Sequence, residues 1–431
     1  MPQTARHSFS WTLNDGRGVV APDERLPAGQ TVVAGLQHTI VMFGATVLCP
    51  LLMGFDPNVA IFFSGIGTLV FFFCVGGRVP SYLGSSFSFI AVVITVTGYS
   101  GHGLNPNIPL ALGGIIAAGA LYAAIGIVVM ATGDAWVEWL MPPAVTGAIV
   151  AVIGLNLAPV AIKEATGAPL DTWVAIATVL AIGMVAASAR GLLRRVPVLF
   201  GAFAGYVLYV ALTNGLGWGK PVDFAPLAAA AWLGWPHFAA PVFDGRAIGL
   251  IAPVAVVLVA ENLGHIKAIG AMTGRNLDRY LGRAFFGDGI ATMIAAAGGG
   301  TGVTTYAENI GVMAVTGIYS TLIFPVAAAA AVILGLSPKF GALIETIPTA
   351  VIGGLSLVVF GLIAATAGRI WVEARVDFSD PRNLVTAAVA LIAGSGDMTL
   401  HFGEFNLTGI GTATLAAIVL YQLLGWRRAA A

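Results

Sequence analysis

The chain has 431 residues, of which 58% are hydrophobic and 9% charged, against roughly a quarter charged in ordinary soluble domains. That composition excludes a water-soluble fold, and the balance of 20 Lys+Arg against 20 Asp+Glu leaves no basic field that would recruit nucleic acid. The two cysteines, Cys49 and Cys74, lie in separate apolar stretches and read as packing residues, so neither a disulfide framework nor a metal site is expected.

Residues 1–30 are polar and lack the apolar stretch and small-residue cleavage site of a signal peptide, so they read as a cytoplasmic N-terminal segment. Beyond them, apolar windows punctuated by Gly, Pro and charge predict spans near 31–51, 58–76, 80–97, 108–131, 135–158, 170–190, 196–217, 247–267, 281–297, 302–317, 319–336, 341–367, 382–396 and 409–426. The expected fold class is an all-α polytopic membrane protein of about 14 spans. Starting from a cytoplasmic N-terminus, this layout puts 16 Lys and Arg on one side. These are Arg6, Arg17, Arg25, Arg78, Arg190, Arg194, Arg195, Lys267, Arg275, Arg279, Arg283, Arg369, Arg375, Arg382, Arg427 and Arg428. Only 4 fall on the other: Lys163, Lys220, Arg246 and Lys339. The split obeys the positive-inside rule and places both termini in the cytoplasm.

Taken in order, span one carries Gln37 and His38, polar residues that can bridge helices or face a substrate. Span three is interrupted by Gly84-Ser85-Ser86-Phe87-Ser88. Span five opens on Pro142-Pro143-Ala144-Val145-Thr146-Gly147, and span twelve repeats its P-x-A-V-x-G pattern as Pro348-Thr349-Ala350-Val351-Ile352-Gly353, 206 residues later. Span eight holds Glu261, with His265 one helical turn on. Span nine carries Asp288, which reads as a local hydrogen-bonding residue. Span ten breaks at Gly298-Gly299-Gly300 and continues through Thr304-Thr305-Tyr306-Ala307-Glu308.

The P-x-A-V-x-G echo and the breaks in spans three and ten are each seven spans apart. Copies displaced by an odd number of spans enter the membrane from opposite sides, which predicts an inverted 7+7 repeat with its site near the midplane. Interrupted backbone at membrane depth is tolerated only where it is buried in protein or lines a cavity, because lipid cannot satisfy its amides. Glu261 and Glu308 each cost about 2.5 to 3.5 kcal/mol at mid-bilayer and so need partners or a task. The protonation of a buried carboxyl group responds to burial and to neighbouring charge, so Glu261 beside His265 is placed to carry a coupling proton. The alternative is structural: a Glu261–His265 tie, with Glu308 capping exposed amides of a half-helix.

No Lys or Arg lies near the breaks in spans eight and ten, so an anion is a poor match for two carboxylates. The pattern suits a neutral planar heterocycle whose N–H groups bond the carboxylates and whose ring stacks on Phe87 or Tyr306. No H-E-x-x-H cluster or nucleophile elbow is present, so an enzyme is not expected.

The run Glu308-Asn309-Ile310-Gly311-Val312-Met313-Ala314-Val315-Thr316-Gly317 fits a known signature: Gln, Glu or Pro, then Asn-x-Gly, four residues, Thr, and Arg, Lys or Gly. With Gln37-His38, Gly84-Ser85-Ser86-Phe87 and Glu261-x-x-Gly264-His265, it makes the chain resemble the nucleobase–cation symporter 2, or nucleobase–ascorbate transporter, family from about Leu36 onward, and within it the uracil permeases. The resemblance implies short antiparallel strands at both breaks. It further implies a core domain of 31–131 and 247–336, a gate domain of 135–217 and 341–426, and alternating access between them. It assigns Glu261 and Glu308 to the base, the backbone around Phe87 and Ala307 to further contacts, and His265 with Glu261 to proton coupling. No cofactor is implied beyond the coupling ion, H+, and relatives suggest a homodimer through the gate domain. Two positions depart from the pattern: Ala307 stands where Gly is familiar, and Asn262 where His is. Glu308, where purine carriers often have Gln, favours uracil over xanthine.

Overall fold

The computed structural model describes residues 9–15, 18–99, 101, 103–189, 196–402 and 405–429. Arg6, Arg17, Arg190, Arg194 and Arg195 of the charge count lie outside the described residues. Helices α1 (Ala28–Met53), α2 (Pro57–Cys74), α3 (Ile90–Thr97) and α4 (Ile108–Thr132) come first, then α5 (Ala135–Leu140), α6 (Pro143–Asn156), α7 (Ala158–Ala165), α8 (Pro169–Ser188) and α9 (Pro197–Val210). A short α10 (Ala225–Ala229) lies in the following loop. The second half holds α11 (Gly245–Ile251), α12 (Val254–Thr273), α13 (Leu281–Ala297), α14 (Ala307–Thr316), α15 (Ile323–Gly335), α16 (Pro338–Glu345), α17 (Thr349–Glu373), α18 (Pro381–Ser395) and α19 (Gly409–Ala429).

Prolines set many of the starts. Pro57, Pro143, Pro169, Pro197, Pro338 and Pro381 occupy the first helical position of α2, α6, α8, α9, α16 and α18, where the missing N–H costs nothing. Asp56, Asp244 and Asp380 add side-chain N-caps to α2, α11 and α18. Among the described residues, eight helical stretches are long and apolar enough to cross a membrane, α11 and α12 together forming one of them. A ninth is the pair α15 and α16, bent by 80°. Of the other expected segments, three and ten are each part strand and part helix, and the rest coincide with helices α13, α18 and α19.

Those breaks meet each other. Strand β3 (Leu83–Ser85) pairs antiparallel with β4 (Val303–Thr305), in the register Leu83↔Thr305, Gly84↔Thr304, Ser85↔Val303. Two more backbone bonds extend the ladder, Ser86 N–H to Gly302 O at 2.9 Å and Tyr306 N–H to Tyr82 O at 3.0 Å. The outward edges are satisfied by one threonine each. Thr68 of α2 bonds both the N–H and the C=O of Leu83, and Thr292 of α13 does the same for Val303. Ser86 and Tyr306 are then both N-caps, so Phe87 corresponds to Ala307. The sequence echo of Ser85-Ser86-Phe87 with Thr304-Thr305-Tyr306 is one residue out of step with this backbone equivalence.

The chain packs as two groups. In one, α13 lies along α4 and α2, and α15 along α2 and α1; in the other, α17 packs on α6, α7 and α8, and α18 on α6 and α19. The repeated P-x-A-V-x-G has one job in both copies. Pro142 and Pro348 are the extended N-cap residues of α6 and α17. The motif glycines permit close approach: a Cβ at Gly147 would lie 2.2 Å from Trp371 Nε1, and one at Gly353 would lie 2.3 Å from Ala165 N.

The described part of the N-terminal segment is a strap. Val20 N–H bonds Gly317 O at 2.9 Å, Tyr319 N–H bonds Val20 O at 2.8 Å, Trp11 Nε1 donates to Thr321 Oγ1, and Phe9 stacks on Phe72. A second strap precedes α11, where Gly234 N–H bonds Leu336 O and Val242 N–H bonds Pro109 O.

Candidate functional site

The β3–β4 pair turns the N-termini of the short helix at Phe87–Phe89 and of α14 toward a cavity of about 50 Å³. Half-helices that start at a buried strand pair point their free N–H groups and positive dipole ends into the interior rather than at lipid. Glu261, Glu308, Phe87, Ala307, Tyr306 and His265 all line this one cavity, whereas Gln37 and His38 of span one are not among its lining residues. The opposite wall is Val150 and Ile153 from α6 and Ile363 and Thr366 from α17.

Glu308 sits in the first turn of α14. Glu261 projects from the middle of α12, and its Oε2 accepts from Ser88 Oγ at 3.3 Å. His265 does not bond Glu261 in the described structure; its Nδ1 is 2.8 Å from Thr305 Oγ1 on β4. The one-turn spacing that suggested a Glu–His tie is real, but the strand hydroxyl competes for the imidazole and holds it.

Tyr306 is placed differently from the expected stacking platform. Its hydroxyl donates to Ser85 O at 2.9 Å and lies 3.1 Å from Thr46 Oγ1. Its ring covers Gly84, where an added Cβ would come within 2.4 Å of it. The side chain therefore braces the strand pair. Phe87 keeps the role of aromatic wall, with its ring edge-on to Phe360 of α17 at 5.7 Å between centroids.

Behind the cavity lies a buried polar cluster. Asn262 Nδ2 donates to Asp288 Oδ2 at 2.6 Å and to Tyr122 OH at 2.9 Å, and Thr305 Oγ1 reaches Asn262 Oδ1 at 3.5 Å. Asp288, set aside in the sequence, is thus connected through Asn262 and Thr305 to His265. Asn262, one of the two departures from the familiar pattern, is the link. Asn309 performs the equivalent task beside Glu308: its amide bonds His38 Nδ1 at 2.9 Å and His38 O at 3.1 Å, so His38 bridges helices. Val150, Ile153, Ile363 and Thr366 gave no signal in the sequence, because apolar residues in apolar helices look alike. Ser88 did belong to a visible polar run.

Two interrupted helices crossing at a small buried cavity with intramembrane carboxylates, in a bundle of apolar helices, define a multi-pass membrane transporter. The Permease family model Xan_ur_permease matches residues 29–403, and the chain belongs to this family, the nucleobase–cation symporter 2 transporters. The chain is accordingly a transporter and not an enzyme. It is 62% identical over 407 residues to the candidate pyrimidine permease RutG of Escherichia coli (strain K12), covering 94% of this chain and 92% of that protein. It is 40% identical to the uracil permease of Bacillus caldolyticus (95% of each chain) and 38% identical to that of Escherichia coli (strain K12) (94% and 93%). Among solved structures, SLC26A9 superposes with a TM-score of 0.66 at 12% identity, covering 91% of this chain and 64% of that chain. The transmembrane domain of the cyanobacterial bicarbonate transporter BicA gives 0.61 at 15%, covering 91% and 97%. At those identities the likeness is one of fold.

Proposed function

We propose that the chain imports a nucleobase, uracil in preference to others, together with a proton, by alternating access across the bacterial inner membrane. The observation that carries this reading is the pairing of Glu261 and Glu308 on one small buried cavity that, among the described residues, no Lys or Arg lines. Two carboxylates accept from ring N–H groups, and the free amides at the start of α14 donate to a ring carbonyl. Phe87 supplies an apolar contact for the planar ring. The names of the permeases at 62% to 38% identity point to the same class of substrate. The anion-carrier reading has only the fold in its favour, and it leaves two carboxylates facing an anion.

Glu308, on the half-helix, is the recognition residue in this scheme. Glu261 carries the coupling proton, with His265 one helical turn on and its ring held by Thr305. Segments 31–131 with 247–336 form the core, and 135–217 with 341–426 form the gate, in two inverted repeats of seven spans with both termini in the cytoplasm. Reciprocal packing supports the repeat: α2 against α15 mirrors α13 against α4, and α17 against α8 mirrors α6 against α18. Surface charge is in keeping with the two sides. Arg78, Arg275 and Arg279 gather around one surface cavity, and Lys220 lies at another with Asp171 and Glu345. The exposed apolar faces of α8 and α9, with Trp173, Met184 and Phe203, are where lipid or a second gate domain would pack.

Uptake of labelled uracil into proteoliposomes under an inward proton gradient tests the reading. Uptake should follow the gradient and be competed by unlabelled uracil more strongly than by xanthine. Failure of excess uracil to compete overturns the substrate, and indifference to collapsing the gradient overturns the coupling.

A further inference from the structure

The two walls of the cavity differ in chemistry. Apart from one hydroxyl, the polar side chains at the cavity come from the strand-pair side: Glu261, His265, Glu308, Ser85, Ser86, Thr304, Thr305 and Tyr306. The α6/α17 side offers Val150, Ile153 and Ile363. Its one hydroxyl, Thr366 Oγ1, already donates to Leu362 O at 2.9 Å, so that wall has no hydrogen left to give. A ligand held by its N–H and C=O groups on the first wall turns its remaining edge to the second. That edge has to be apolar, since a buried polar group without a partner costs about 1–3 kcal/mol.

We propose that Val150, Ile153 and Ile363 are the specificity-determining residues of the transporter: they read the C5–H/C6–H edge of a single pyrimidine ring. They refuse a fused imidazole, whose acceptor nitrogen finds no donor on that wall, and they limit the size of a substituent at C5. This rests on the nucleobase reading above and deepens it, because the base-binding carboxylates alone accept any ring with an N–H edge. The wall is well placed for the task. Val150 is 8% exposed and Ile153 3%, and both sit on α6, which is backed by α17 through the close contacts at Gly147 and Gly154. A wall so supported does not yield readily to an extra methyl group.

The test is the ratio of thymine to uracil uptake, measured by labelled-base competition in proteoliposomes of the full chain. Ile363→Ala and Val150→Ala open space at the wall and should raise the ratio about tenfold, the scale of discrimination one methyl group gives in an apolar pocket. Val150→Ile fills space and should lower it, and this variant carries the test if the truncated ones are not recovered in the membrane. A ratio that stays within about twofold of wild type in both directions overturns the assignment. If wild type takes up neither base, the nucleobase reading fails instead, and the two failures are distinct.

Discussion

The wall of the cavity built from β3, β4 and α14, beside α12, is interrupted backbone whose strand groups are bonded to one another, down to the single threonines that satisfy Leu83 and Val303. The wall built from α6 and α17 is continuous helix with its amides used internally and only side-chain carbon turned to the cavity, apart from Thr366. One side offers directed polar contacts, while the other offers only shape. This contrast is sharpest at Phe87 and Phe360, where the two sides touch ring against ring with no hydrogen bond between them.

The largest effect that would break this comparison is expected from Glu308→Gln. If directed bonds on the interrupted side hold the ligand, losing a charged acceptor costs about 1.5–3 kcal/mol, or about 10- to 100-fold in uracil affinity by titration calorimetry. An affinity within about twofold of wild type would mean that shape dominates on both sides. Next is Asn262→Ala, which strips the buried Asp288 of the donor at 2.6 Å. About 1–3 kcal/mol of stability should go, read as a lowered Tm in detergent, because the carboxyl stays buried with one donor fewer.

Glycine substitutions sharpen the contrast further. Gly84→Ala places a methyl group against the Tyr306 ring and Thr46 and should cost about 1–3 kcal/mol. Gly361→Ala in α17 meets nothing within 4 Å and should be neutral or stabilising by up to about 1 kcal/mol. Equal Tm values for the two variants would contradict the picture of a tightly braced strand pair.

The smallest effect lies outside the membrane, in the strap. Arg275 lies 2.5 Å from Asp23 and holds its carboxyl below the ordinary range, chiefly through their hydrogen bond. A depressed folded-state pKa stabilises above the unfolded value, and the benefit fades as pH falls through the folded one. Asp23→Asn should therefore lower Tm slightly at neutral pH, by the equivalent of about 0.2–1 kcal/mol, with the gap closing in acid. A gap that widens in acid would show that the pair is not the source.

Much of this molecule was legible in its sequence. Helix positions followed from apolar windows between Pro, Gly and charge, and the convergence of Glu261, Glu308 and Phe87 followed from the cost of placing charge and broken backbone in lipid. The N-terminal segment was less legible: a polar stretch gives no sign that Val20 and Trp11 will lock onto Gly317 and Thr321, some 300 residues away. Pairings of that kind depend on which surfaces meet. His265 was tied to Glu261 by helical spacing and is tied to Thr305 in space. Tyr306 was offered as a stacking face and is spent bracing Gly84. The sequence by itself determined the class of protein, its helices and its costly polar residues, because each of those is fixed by the local balance between chain and bilayer. Only the tertiary structure decided how those residues are partnered and that Val150, Ile153 and Ile363 form the second wall, since a methyl group facing a ligand and one facing lipid are written in the same letters.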